Sequence, residues 1–242
     1  MTTPVYAIGD IHGQIDMLSS ALELIRIDGG VEAKIVFLGD YVDRGPDSRA
    51  VVQTLIDGQA SGQNWITLKG NHDRYFTRFL NDKSVWDQRT RPDLKWINPI
   101  LGGDKTLGSY GVPAKDGNPV DPIHLNAVQR VPDAHRLFLE NLPLTYVTDE
   151  ILFVHAGILP GVPLSEQQED DLIWIRGAFL DDTRDHGRLV VHGHTALHAP
   201  QHHGNRINLD SGAGYGRPLT SVVFEGRTCW QLTPRGRVPL TD

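Results

Sequence analysis

VYAIGDIHG, residues 5–13, is a short apolar run that ends in a Gly-Asp-x-His-Gly turn, and the arrangement returns twice, as KIVFLGDYVDRG at 34–45 and WITLKGNHD at 65–73. Between these runs Ile15, Leu18, Leu22 and Ile25 recur at helical spacing. So do Val51, Val52, Leu55 and Ile56, while Tyr75, Phe76, Phe79 and Leu80 mark a third helix. Strand alternating with helix, with a polar Gly-bearing turn after each strand, predicts a parallel α/β half. Loops that leave the carboxyl ends of parallel strands converge on one edge of the sheet. The three turns are therefore expected to share one rim.

Downstream the pattern changes. Residues 81–125 lose periodicity and are rich in Gly, Pro, Trp and charge, which reads as an irregular insert or a lid. A helix is expected after Pro132, with Asp133 near its cap and Leu137 and Phe138 on its buried side. Strands are expected at 151–154, 189–191, 206–209, 219–224 and 229–232, between Gly-rich turns. A chain of 242 residues suits one domain spanning 1–242.

Composition narrows the classes of partner. No run approaches the roughly 18 apolar residues of a membrane span. Met1 to Pro4 lead into Val5 without a basic region or a cleavage pattern, so no secretory signal is expected. The one cysteine, Cys229, excludes an intramolecular disulfide and a cysteine metal cluster, which suits the cytoplasm, and its strand context reads as a buried apolar residue. A formal charge of −7 argues against stable nucleic-acid binding and against anionic membranes. Any recognition of phosphate has to be local.

Each early turn sets Asp or Asn directly after Gly: Gly9-Asp10-Ile11-His12, Gly39-Asp40 with Asp43-Arg44-Gly45, and Gly70-Asn71-His72-Asp73. Two later turns add Val154-His155-Ala156-Gly157 and Val191-His192-Gly193-His194. Singly, such residues form turns or cap helices. Together, carboxylate, amide oxygen and imidazole at five strand ends make a hard-to-borderline donor set suited to Mn²⁺, Fe or Zn²⁺. His198, His202 and His203 read as solvated loop histidines, and Trp86, Trp96 and Tyr110 either line a cleft or pack a satellite core.

These five blocks, in this order, resemble the phosphoprotein phosphatase family of dinuclear metallophosphoesterases. The stretches Gly102–Leu107, Asp171–Arg176 and Asn208–Ala213 are similar to its bacterial, phage-lambda-like branch. The resemblance implies a calcineurin-like α/β fold, a β-sandwich flanked by helices. It implies that Asp10 and His12 bind one metal, that Asp40 bridges, and that Asn71, His155 and His194 bind the second. His194 is preferred over His192, on the same strand face, because it follows Gly. Arg44 and Arg176 would clamp phosphate, and His72, oriented by Asp43, would protonate the leaving group after attack by a metal-bridging hydroxide. The implied activity is serine/threonine protein phosphatase, extending to phosphotyrosine, with two divalent metals, Mn²⁺ foremost, and a phosphoprotein or small phosphoester as substrate. The alternative on the same scaffold is hydrolysis of phosphoanhydrides, such as dinucleoside polyphosphates or RNA 5′ ends. A catalytically silent scaffold is disfavoured, because every motif position is retained.

Overall fold

The structure, a computed structural model, describes residues 3–242; Met1 and Thr2, part of the N-terminal reading, lie outside the described residues. The chain opens with β1 (Val5–Ile8), α1 (Ile15–Gly29), β2 (Lys34–Phe37), α2 (Ser48–Ala60), β3 (Trp65–Thr67) and α3 (Asn71–Asp82), the alternation expected from the apolar spacing. β1 pairs parallel with β2 from Val5↔Lys34, and β2 pairs parallel with β3. The Asp47 side chain caps α2 by accepting from the Ala50 N–H at 2.9 Å.

Three helices follow: α4 (Gly103–Ser109), α5 (Val120–Arg130) and α6 (Asp133–Glu140). Next come β4 (Thr145–Val147), β5 (Ile151–Val154), the short α7 (Glu169–Trp174) and α8 (Gly177–Leu180), and β6 (Leu189–His192). The chain closes with β7 (Gln201–His202), β8 (Arg206–Asn208), β9 (Ser221–Glu225), β10 (Thr228–Thr233) and β11 (Gly236–Pro239). Six strands form one sheet in the order β11-β10-β9-β1-β2-β3, and five form a second in the order β4-β5-β6-β8-β7. The two sheets, with helices outside them, make the expected sandwich.

Side-chain alternation divides the core into layers. Ala7, Val36, Leu38 and Leu68 from the first sheet meet Phe153, Val191, Ile207 and Leu209 from the second, filling the sandwich. Tyr6, Ile8, Ile35 and Phe37 point the other way, onto Leu18, Ile25, Val51 and Leu55 of the helices. The second sheet's outer face holds Val154 and Val190 against Leu172 and Phe179. Strands buried on both faces read as continuous apolar runs, which is why β1, β2, β5 and β6 stand out in the sequence.

Two expectations need correction. The 81–125 segment is not a free lid, because α4 and the start of α5 lie in it and it is built into the helical core. Trp96 is fully buried, with its ring 5.0 Å from that of Phe79, and the buried Tyr110 hydroxyl bonds His135 Nδ1 at 2.9 Å. Trp86, by contrast, is 39% exposed. In α6 the inward face is His135 and Leu139, four residues apart, with Phe138 partly buried against the same core as expected, whereas Leu137 is exposed.

Candidate active site

Backbone hydrogen bonds lace the first two early turns together, and carboxylates tie in the third. His12 N–H and Ile11 N–H both donate to Asp40 O, at 2.8 and 3.2 Å, and Gly13 N–H donates to Tyr41 O at 2.8 Å. Asp73, given no role by the sequence reading, fastens the second turn to the third. Its Oδ2 accepts from Asp40 N–H (2.8 Å) and Gly70 N–H (2.9 Å), and its Oδ1 accepts from Tyr41 N–H (2.9 Å). An amide at this position turns one acceptor into a donor facing a buried N–H. Above about pH 8, where the Asp73 carboxyl, pushed up to about 7 first by burial, is ionised, Asp73→Asn is expected to cost roughly 2–4 kcal/mol, since bonds to a charged group contribute ~1.5–3 kcal/mol and an orphaned buried N–H adds to the loss. Urea unfolding in EDTA, which removes any contribution from bound metal, measures it; a change below about 0.5 kcal/mol would show that the three bonds do not hold the turns.

The second sheet brings its own turns to the same place. Gly193 N–H donates to His155 O at 2.8 Å, and the Asp10 carboxylate accepts from His194 N–H at 3.0 Å. Gly193 has to be glycine here, because a Cβ would collide with that carboxylate. Asp10, His12, Asp40, Asp43, Asn71, His72, His155 and His194 are all buried around this junction.

Carbonyl oxygens fix which imidazole nitrogens face inward. His12 Nδ1 lies 2.8 Å from Val42 O, and His155 Nδ1 lies 2.8 Å from Leu38 O, so each Nδ1 carries the proton and each Nε2 turns a lone pair toward Asp40. His12 Nε2 stands 3.5 Å from Asp40 Oδ2, and His155 Nε2 stands 3.5 Å from Asp40 Oδ1. Asn71 Oδ1 lies 2.9 Å from both His155 Nε2 and His194 Nδ1. Burial pushes His155 down to about 4, so the ring is neutral at ordinary pH and supplies no proton to these oxygens.

The His12 and His155 Nε2 lone pairs and the Asp40 and Asn71 oxygens thus converge, and a cation is what such a nest fits. Two donor groups satisfy the spacing, His12 with Asp40 and His72, and Asp40 with His155 and His194. Asp40 belongs to both, one oxygen facing each. Asp10 and Asp40 are held above the ordinary carboxylate range, first by burial; neighbouring Asp210 also raises both, and the two repel each other at Asp10. His194 Nε2 is buried without a hydrogen-bond partner. The residues fit two divalent ions.

Beside this centre His72 Nδ1 meets Asp43 Oδ2 at 2.6 Å. Asp43 is itself held by Trp96 Nε1–H at 2.8 Å and the Thr106 hydroxyl at 2.6 Å, both from the 81–125 segment. Arg44 closes the arrangement, donating from Nη1 to His12 Nε2 at 2.6 Å and from Nη2 to His72 Nε2 at 2.9 Å. Among the described residues six non-glycine positions have positive φ, and five of them are His12, Asp40, Asp43, Arg44 and His194. Backbone strain of this kind persists where surrounding structure enforces it, and it gathers at functional sites.

A sequence model of calcineurin-like phosphoesterases matches residues 3–217. The chain belongs to this family. A bis(5′-nucleosyl)-tetraphosphatase, of the asymmetrical type, from Oceanobacillus iheyensis is 24% identical over 239 residues, covering 90% of this chain and 87% of the relative. A symmetrical bis(5′-nucleosyl)-tetraphosphatase from Dechloromonas aromatica is 29% identical over 166 residues, covering 68% and 47%. The chain spans about half the length of two of the curated relatives it matches. The structure of a cold-active protein-tyrosine phosphatase from a Shewanella species shares the fold, with a TM-score of 0.67 at 18% identity, covering 100% of this chain and 81% of that one.

In this calcineurin-like phosphoesterase the centre opens into a cleft of about 880 Å³. Arg44 and Arg176 line it as expected, and Arg89, Arg91 and Arg217 join them. Leu94, Leu101, Trp174 and Tyr215 give the same cleft apolar wall. Asp210 lies in it too, its carboxyl raised by burial and drawn back down by the Gly212 N–H. His192 is elsewhere: it ends β6, packs 5.2 Å from the Phe179 ring, and is parted from His194 by the left-handed turn at φ 64° rather than sharing its face. No helix among the described residues is long and apolar enough to cross a membrane. Cys229 is buried, which pushes its thiol up to about 11 and leaves it unreactive.

Proposed function

We propose that this phosphoesterase, acting through one domain in the cytoplasm, hydrolyses a phosphoanhydride bond in a dinucleoside polyphosphate. The observation that carries the reading is the cleft wall, where five arginines stand beside Trp174 and Tyr215. A lone phosphate dianion is satisfied by one or two guanidinium forks. Arg44, Arg176 and Arg217, which form no ion pair among the described residues, suit a chain of phosphates beside the Arg89–Asp170 and Arg91–Asp93 pairs, and the aromatic wall suits a base at its end. Relatives aligned along most of the chain carry nucleosyl-tetraphosphatase names, which supports the same substrate class.

Asp10, His12 and Asp40 would hold one divalent ion, and Asp40, Asn71, His155 and His194 the other, with Mn²⁺ the first expectation and Fe or Zn²⁺ equally suited to the donors. When bound, the pair would acidify a water and neutralise charge on the phosphoryl oxygens. Arg44 and Arg176 orient the phosphoryl group, using N–H groups that in Arg44 now satisfy His12 and His72. Asp43, fixed by Trp96 and Thr106, holds the His72 ring toward the leaving oxygen.

A second reading keeps the phage-lambda-like protein phosphatase. Its support is that Gly102–Leu107, Asp171–Arg176 and Asn208–Ala213 all pack about the centre: Gly102 O accepts from Arg44 N–H, Thr106 bonds Asp43, and Arg176 and Asp210 line the cleft. Rates on diadenosine tetraphosphate, phosphoserine and phosphotyrosine peptides, with Mn²⁺ or EDTA, separate the two. We expect EDTA-sensitive turnover with kcat/KM at least about 10-fold higher on the dinucleotide, or ~1.4 kcal/mol of transition-state discrimination. The reverse order would transfer the assignment to phosphoprotein, and no metal-dependent turnover would sink both readings.

A further inference from the structure

Tyr215 ends the turn at Ala213–Tyr215 and is 60% exposed at the cleft. Two guanidinium groups lie against its ring, Arg44 at 4.8 Å from the centroid and Arg217 at 5.6 Å. Arg74, Arg78, Arg89 and Arg237 each meet a carboxylate. Arg44 and Arg217 meet none among the described residues, and the Nε of each is buried without a hydrogen-bond partner. The one side-chain hydrogen bond of the Arg217 fork among the described residues is to His198 Nδ1, 3.3 Å from Nη1. Two guanidiniums brought to one aromatic ring repel each other, and the negative π face offsets part of that cost. Such a pair, with Asp210 close enough to feel both charges but no carboxylate in ion-pair contact with either fork among the described residues, is preorganised for an anion with charge spread over more than one centre. Arg44 reaches the histidines of the metal centre, whereas Arg217 bonds none of them, so the two forks address different parts of the ligand.

We propose that Arg217, held beside Arg44 by the ring of Tyr215, binds the phosphate adjoining the reacting one and thereby selects a phosphate chain over a single phosphate. The assignment rests on the polyphosphate reading of the cleft and names the residue that enforces it. Tyr215 is a positioning residue: its ring acts through the two arginines, and its hydroxyl is not required.

The test is inhibition of p-nitrophenyl phosphate hydrolysis by tripolyphosphate and, separately, by orthophosphate, with free Mn²⁺ held constant. The quantity read is the ratio of the two inhibition constants. Wild type is expected to bind tripolyphosphate more tightly, and Arg217→Gln to reduce that preference about tenfold, as loss of one charge-assisted phosphate contact requires. Tyr215→Leu should reduce it in the same sense, and Tyr215→Phe should retain it. Both side chains lie toward the surface, so these variants are expected to fold. An Arg217→Gln enzyme whose two inhibition constants move together, or do not move, overturns the assignment; a Tyr215→Leu enzyme with the wild-type ratio removes the ring from it. The ratio requires no turnover of a dinucleotide, so it stands apart from the test of the substrate. Failure to cleave diadenosine tetraphosphate, with the ratio intact, would strike the substrate and spare the subsite.

Discussion

Asp40→Asn is expected to lower kcat/KM at least about 10³-fold on every substrate, because metal ions contribute several kcal/mol to phosphoryl transfer and each ~1.4 kcal/mol is a factor of ten. Asp40 is the residue whose two oxygens face different donor groups, Oδ2 toward His12 and Oδ1 toward His155. An amide offers one oxygen and one N–H₂, so one of the two sites loses an anionic donor and gains a hydrogen pointed at a lone pair. The fold should survive, since the asparagine oxygen can still accept the His72 N–H that Asp40 Oδ1 accepts at 2.9 Å. Metal analysis after dialysis is the direct check: wild type should retain close to two equivalents and the variant fewer. A variant that keeps its metal and its rate would disprove the bridging role.

The second large effect depends on the leaving group. His72→Asn should cost about 10²–10⁴-fold on a phosphoserine peptide, the usual contribution of a general acid, and less than about 10-fold on p-nitrophenyl phosphate, whose phenolate departs without a proton. A dinucleoside polyphosphate should resemble the nitrophenyl ester, because its leaving oxygen already belongs to a phosphate. His72 Nε2 now accepts from Arg44, and burial followed by the nearby guanidinium holds the ring well below its ordinary range. Asp43 accepts the Nδ1–H and fixes the ring's orientation, its own carboxyl raised above the ordinary range first by burial. Equal losses on ester and nitrophenyl substrates would assign His72 to binding rather than to proton delivery.

The strand ends and their donors were legible in the sequence because the local signals agree. An apolar run buried on both faces stops at Gly, and the next residue is a carboxylate or amide. Asp10, His12, Asp40, Asn71, His155 and His194 meet in space as those turns imply. Asp73 was in view within Gly70-Asn71-His72-Asp73, yet its role lies in bonds to Asp40 and Tyr41, some thirty residues away in sequence, which no local pattern encodes. The same holds for Trp96 and Thr106. Aromatic and hydroxyl residues in a segment without periodicity gave no sign that both would grip Asp43. Helices α4 and α5 were missed for a related reason: they are only 7 and 11 residues long, and tertiary packing rather than propensity stabilises them. Tyr215 and Arg217 lie just past Asn208–Ala213, the stretch that carries the resemblance, and nothing local in the sequence sets their geometry. The motifs fix the chemistry and leave the substrate open; the polyphosphate proposal rests on the cleft wall.

The pairing of β1 with β9 sets a timetable for synthesis. Val5–Ile8 finds its antiparallel neighbour only in Ser221–Phe224, near the far end of the chain. At roughly 5–20 residues per second, the first strand leaves the ribosome on the order of ten seconds or more before its partner exists. During that interval β1, β2 and β3 can pair among themselves but present an apolar open edge, the kind of surface on which nascent chains associate wrongly. Asp10 waits in the same way for His194, so the donors cannot gather until the second sheet has been made. Translation thus withholds assembly of the centre until His194 has been made and closure of the first sheet until residues 221–224 have followed it.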